Sequence, residues 1–273
     1  MTDFLSIMGL PLLACFVFAG IHSYLGYHVI KRQVIFVDLA LAQIAVLGAS
    51  ASLLFGYEFE SAQSYWMALS FTVAGSTVFA LSRNRIQKIP QEAIIGIVYA
   101  VSAAMLILIL SRTGEGDERI RQMLAGNILL VRPHDVIKTA ILYSIVGIFH
   151  WIFRKQFFLI SESHEDAYRS GLPVRFWDFL FYASFGIVIT SSVKVAGVLL
   201  VFAFLIVPPV CAIMLADGLK LRLIFGWLTG FTASILGMLI SYFWDLPTAA
   251  SVVAVFGAML LLISLLTLIK KNT

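Results

Sequence analysis

Four polar side chains interrupt two consecutive apolar runs near the start of this sequence: His22, His28, Asp38 and Gln43. Imidazole nitrogen and carboxylate oxygen are donors that suit zinc, manganese and iron, and three or four of them converging would make a site for such an ion. A charged group at the centre of a bilayer costs roughly 2.5–3.5 kcal/mol on insertion scales. Ionisable residues retained in apolar spans therefore face a bundle interior or a watery path. At 1.5 Å per residue, His22 and Gln43 each lie about 13 Å from the basic pair Lys31 and Arg32 that separates the two runs. They sit at similar depth on successive helices, with His28 and Asp38 nearer the basic pair. On geometry alone a plainer role is the stronger reading of the two histidines, as hydrogen-bonding groups between helices. Six residues apart on one helix, they project about 120° from each other and cannot share a face.

The elements that must position these groups follow from composition. Of the 273 residues, 60% are hydrophobic and 12% charged. Soluble domains run at about 45–50% apolar and about 25% charged, so the chain reads as an all-α, polytopic transmembrane helical bundle, one domain over residues 1–273. A span needs about 20 mainly apolar residues. Nine stretches qualify, near 4–30, 34–55, 64–82, 90–111, 136–153, 174–192, 196–216, 222–243 and 247–269, with 191–195 as the turn between the sixth and seventh. Cys15 and Cys211 lie in apolar runs without CxxC spacing and read as small buried hydrophobes. The N-terminus carries Asp3 and no basic stretch, which argues against a cleaved signal peptide.

Orientation follows from where Lys and Arg gather. Lys31 and Arg32, then Arg83, Arg85 and Lys88, then Arg154, Lys155, Arg169 and Arg175, then Lys220 and Arg222, and finally Lys270 and Lys271 fall on one side of the spans. That side is expected to be the cytoplasm, with the N-terminus outside and the C-terminus inside. On the opposite side, 56–63 and 244–247 are acidic, whereas 112–135 carries Arg112, Arg119, Arg121 and Arg132 against four acidic residues. The stretch 118–131 could form a surface helix ended near Gly126. On the inner side, 161–172 reads as a short helix with Ser161 or Ser163 as N-cap. Glu162, Glu165 and Asp166 sit near its start, Arg169 near its end, and Gly171 supplies the stop.

Small residues recur within the second, third and eighth spans (Gly48, Gly75, Gly226, Gly230 and Gly237), where they permit close helix packing. Pro208 and Pro209 lie inside the seventh span, where freed carbonyls need neighbours or a cavity. Glu92 follows Pro90 and Gln91 and reads as a carboxylate favouring the start of the fourth span. No HExxH, GxSxG or GxxxxGK[ST] motif occurs, so the chain carries no recognisable enzyme site and no phosphate loop for ATP.

Several stretches resemble the membrane permease subunits of the zinc, manganese and iron family of ATP-binding-cassette importers. They are GYHVIKRQVIFVDLALAQIAVLG, PQEAIIGIVYAVSAAMLILIL, QMLAGNILLV, HEDAYRSGLPVRFWDFLFY, VKVAGVLLVFAFLIVPPVCAIML and ISYFWDLPTAASVVAV, in the family's order over nearly the whole chain. The resemblance implies a helical bundle of the metal-ion permease type in a bacterial cytoplasmic membrane, with two copies forming a central path. It implies that 165–172 is a coupling helix, with Glu165, Asp166, Arg169 and Gly171 meeting a separate cytoplasmic ATPase subunit. An external metal-binding protein would dock on the outer loops, and a divalent transition-metal ion would be the transported substrate, with no permanently bound cofactor. Family members commonly read Gly-Asp-Ala-x-Ser-His in the second span, with the Asp and His lining the metal site. Here those two positions are Leu39 and Gln43, and the carboxylate stands one place earlier at Asp38. Two alternatives follow: Asp38 serves from its shifted position with His22 and His28, or the path has no strong metal site. Rival cargoes of the same architecture are a metal chelate, haem or cobalamin. A rival of another class is an intramembrane enzyme using Asp38 and the histidines, and a third is a passive channel.

Overall fold

The computed structural model describes residues 2–58, 61–83, 89–112, 126 and 128–272. Eleven α-helices and no strand occur among them: α1 Thr2–Lys31, α2 Val37–Ala51, α3 Ala62–Ser82, α4 Gln91–Leu110, α5 Pro133–Ile152, α6 Arg154–Glu162, α7 His164–Arg169, α8 Val174–Ala196, α9 Val198–Leu215, α10 Leu219–Trp244 and α11 Thr248–Asn272. All except α6 and α7 belong to spans long and apolar enough to cross a membrane, nine among the described residues. The all-helical polytopic architecture expected from composition is the one observed. The surface helix expected over 118–131 falls largely outside the described residues.

The sixth and seventh spans divide later than the sequence suggested. Residues 191–195 are not a turn: α8 runs through them to Ala196 and the break is at Gly197, whose φ is 77°. Ser192 lies within α8 and its hydroxyl bonds across to Tyr143 and His22 Nε2, so its polarity does not force a loop. Gly126 packs its backbone against this break. A Cβ on it would lie 2.3 Å from the Ala196 carbonyl carbon and oxygen.

Glu92 does more than its position suggests. It lies in the first turn of α4, but its Oε1 accepts from the Phe36 amide at 2.9 Å, capping the start of α2. Phe36 is the N-cap position of α2 and has no side-chain acceptor of its own, so α4 supplies what the local sequence lacks.

The chain divides into two compact units. The first comprises Met1–Ile30, Gln122–Gly147 and Ser192–Thr273, and the second Lys31–Arg121 and Ile148–Ser191. Inside the first, α9, α10 and α11 pack pairwise. Small residues set the close approaches: added Cβ atoms on Gly230 and Gly237 would meet Ala19 and Val252 at 3.0 and 2.5 Å. Where Pro209 leaves the Leu205 carbonyl without its helical donor, Gly26 of α1 fills the space, and a Cβ there would lie 1.9 Å from that oxygen. The prolines thus sit at a helix–helix contact. Inside the second unit, α2 packs on α3 and α4. Gly48 lies against Met67, Ala68 and Phe71, and Gly75 against Ile44. Cys15 and Cys211 are buried and free, as small hydrophobes would be.

Candidate functional site

In the first unit, His22 is fully buried, and both ring nitrogens are engaged. Nδ1 lies 2.9 Å from the Phe18 carbonyl, which can only accept, so Nδ1 carries the proton. In the neutral ring, Nε2 then accepts from the Ser192 hydroxyl at 3.2 Å, and Ser192 in turn bonds the Tyr143 hydroxyl. The lone pair a metal would use faces a hydroxyl that can be displaced. His28 is equally buried and stands edge-on to Tyr24 with ring centroids 4.7 Å apart. The two imidazoles point in different directions along α1, as their spacing requires.

In the second unit, Asp38 lies in the first turn of α2 at 2% exposure, and its Oδ1 has no hydrogen-bond partner. A buried carboxylate oxygen left open is costly unless something visits it. Gln43 is half-buried on the same helix. Five residues separate the two, so they project about 140° apart and do not share a face. Among the described residues, no group of three or more His, Cys, Asp or Glu side chains gathers as a metal site would require.

The inner segment forms a shorter helix than the 161–172 expected: Ser161 and Glu162 end α6, and the capped helix is α7, His164–Arg169. Between the two candidate caps the structure selects Ser163, whose Oγ accepts from the Asp166 amide at 3.3 Å. Ala167 is buried with Ile160 and Val174, and Tyr168, Leu172 and Trp177 pack around them, which fastens α7 from beneath. Its outer face is charged and exposed. Arg169 pairs with Glu165 at 2.6 Å and approaches Asp166 at 3.8 Å, all three side chains at least 60% exposed. Gly171 ends the segment at φ 76°, with open space where a side chain would go.

Ser161, the other candidate cap, belongs instead to a buried charge cluster that the residue types alone did not single out. Arg32 Nη1 meets Asp178 Oδ1 at 2.6 Å, Arg32 Nε donates to Ser161 Oγ at 2.8 Å, and the guanidinium carbon lies 3.9 Å above the Phe181 ring. Arg83 Nε approaches the other oxygen of Asp178 at 3.5 Å. Both side chains of the Arg32–Asp178 pair are fully buried. Two guanidinium groups share one carboxylate, leaving an excess positive charge. Arg32 Nη2 and Arg83 Nε and Nη1 have no hydrogen-bond acceptor. Burial lowers the Arg32 pKa below its ordinary value, and Asp178 opposes the shift. The signal was present in the sequence: Asp178 interrupts the apolar run FWDFLFY, where an ionisable residue needs a partner. Beside the cluster, Lys31 Nζ pairs with Glu162 Oε2 at 2.9 Å.

Nine apolar spans among the described residues define a polytopic membrane protein. Residues 5–267 match the model of the ABC 3 transport family, and the chain belongs to that family. It is 29% identical over 199 residues to a Listeria innocua protein named manganese transport system membrane protein MntC, covering 70% of each chain. It is 24% identical over 234 residues to a Haemophilus influenzae protein named probable iron transport system membrane protein, covering 86% of this chain and 80% of the relative. The structure of PsaBC from Streptococcus pneumoniae in complex with Fab contains a chain of the same fold. That chain superposes with a TM-score of 0.79 at 23% identity, covering 96% of this chain and 94% of its own length.

Proposed function

We propose that this chain is the membrane permease subunit of an ATP-binding-cassette importer that passes a divalent transition-metal ion, manganese, iron or zinc, into the cytoplasm. The observation that carries the reading is the family match over 5–267, joined to relatives named for manganese and iron transport. Residues 1–273 act as one permease domain, and two copies form the path. The chain lies in a bacterial cytoplasmic membrane, with its N-terminus outside. His22, His28, Asp38 and Gln43 line the route of the ion. The open carboxylate oxygen of Asp38 and the displaceable hydroxyl on His22 Nε2 are the groups to which a passing cation turns. A transit site gains nothing from tight binding, because the ion must leave again. Glu165, Asp166, Arg169 and Gly171 face a cytoplasmic ATPase subunit, which supplies the energy, and a metal-binding protein outside delivers the ion.

The test is uptake into vesicles holding this chain with its ATPase partner. ATP-driven accumulation of radiolabelled manganese or iron is expected, reduced about tenfold or more when Asp38→Asn removes an open charged ligand from the path. Vesicles that accumulate no transition metal overturn the function. Full uptake by Asp38→Asn removes Asp38 from the route.

A further inference from the structure

We infer that Arg32, with Lys31 beside it, is the positioning residue through which α7 acts on the first helical hairpin, an inference that rests on the transport reading above. Lys31 ends α1, Arg32 begins the connector, and α2 starts at Val37. Each of the two basic residues holds the end of α6. Arg32 Nε bonds Ser161 at 2.8 Å and Lys31 Nζ bonds Glu162 at 2.9 Å. Ser161 and Glu162 are the last two residues of α6, and Ser163 caps α7, so one residue separates the grip from the helix. The far end of the connector is held as well, through the Phe36 amide on Glu92. A displacement of α7 therefore has little slack before it reaches the start of α2, the helix that carries Asp38 and Gln43.

The cluster also has the means to exist in two arrangements. Asp178 divides its oxygens between Arg32 at 2.6 Å and Arg83 at 3.5 Å, and three guanidinium nitrogens have no acceptor. A small shift of Asp178 along α8 could strengthen one pair at the expense of the other. Only a guanidinium can bond Asp178 and Ser161 at once from a rigid fork while stacking on Phe181, so lysine cannot replace it. Coupling between distant sites needs such an element with discrete arrangements, not mere adjacency.

The experiment compares metal ions taken up per ATP hydrolysed in the reconstituted complex. Arg32→Lys keeps the charge and loses the fork, so it is expected to retain ATP hydrolysis while the ion-to-ATP ratio falls about fivefold. Lys31→Glu is expected to lower the ratio less, and Lys31→Glu with Glu162→Lys to restore it. The exposed pair decides the matter if Arg32→Lys does not fold. An Arg32→Lys complex that forms in lower amount but keeps the wild-type ratio has a folding defect only, and overturns the inference. An unchanged ratio in Lys31→Glu, or a charge swap that restores nothing, overturns the inference while wild-type uptake stands. A wild-type complex without ATP-driven uptake overturns the transport reading and this inference with it.

Discussion

His164 opens the α7 segment, and its two ring nitrogens are buried without a hydrogen-bond partner. Burial pushes its pKa down to about 4. Arg83 and Arg32 push the same way, and Asp178 opposes them. In the unfolded chain the ring titrates near 6.5. Between those values the unfolded state binds more protons, so folded stability falls as pH drops from about 6.5 toward 4. Thermal unfolding of the purified protein at pH 7.5 and 4.5 should therefore show a smaller acid shift in His164→Gln than in the wild type. Equal shifts would mean that the ring takes up its proton freely. At this scale the sequence exposed the ionisable residues and not their partners. His22 and Asp38 stood out because imidazole and carboxylate are rare in apolar runs. Whether each nitrogen or oxygen is satisfied depends on Ser192, Tyr143 and other groups far away in the chain. Arg32 reads in the sequence only as half of the basic pair between the first two spans, and only the fold buries it against Asp178.

Helices were the most legible level, for a simple reason. A run of about 20 apolar residues has one stable backbone arrangement in lipid, since every amide must be bonded within its own segment. The division falls at Gly197 and not at 191–195, because a helix in a protein interior can satisfy a serine locally or across to a neighbour, although Ser191, Ser192 and Lys194 look like loop residues. Ser192 does the latter. Contacts between helices were legible as a tendency: small residues marked the faces, but not their partners. Gly26 illustrates the gap. It was not among the small residues singled out, yet it makes the tightest approach of those that do, beside the proline pair of α9. Overfilling a packed interior typically costs about 1–3 kcal/mol and sometimes more, and here a methyl would collide with a backbone carbonyl that cannot swing aside. Gly26→Ala should therefore lose about 3 kcal/mol or more. Gly96→Ala, with nothing within 4 Å of the new methyl, should change stability by no more than about 1 kcal/mol. Denaturation of the two purified variants in detergent checks both. Similar losses in both would show that α1 and α9 have room to separate.

At the scale of the whole molecule, the outward faces of the spans are apolar. On α11 the exposed residues include Leu261, Leu262, Leu265, Leu266 and Leu268, and on α4 Ile97, Val101 and Leu108. Such faces suit lipid tails, and they leave the charged connectors to fix which way the bundle sits. On the proposed topology the two ends of the chain lie on opposite sides of the membrane. The basic connectors, including the one holding Lys31 and Arg32 and the one around Lys220, should stay on the side where synthesis occurs, because Lys and Arg near span ends resist translocation. Asp217 and Leu246 flank α10 at its two ends and are both exposed. Native Cys15 and Cys211 are buried and should not compete for a bulky reagent. A membrane-impermeant maleimide on intact cells should therefore label Leu246→Cys at once, and Asp217→Cys only after the membrane is opened. The reverse pattern would place the N-terminus and the Lys31–Arg32 hinge on opposite sides from those proposed. The ATPase would then have no access to α7, and an importer driven from the cytoplasm could not be built on this chain.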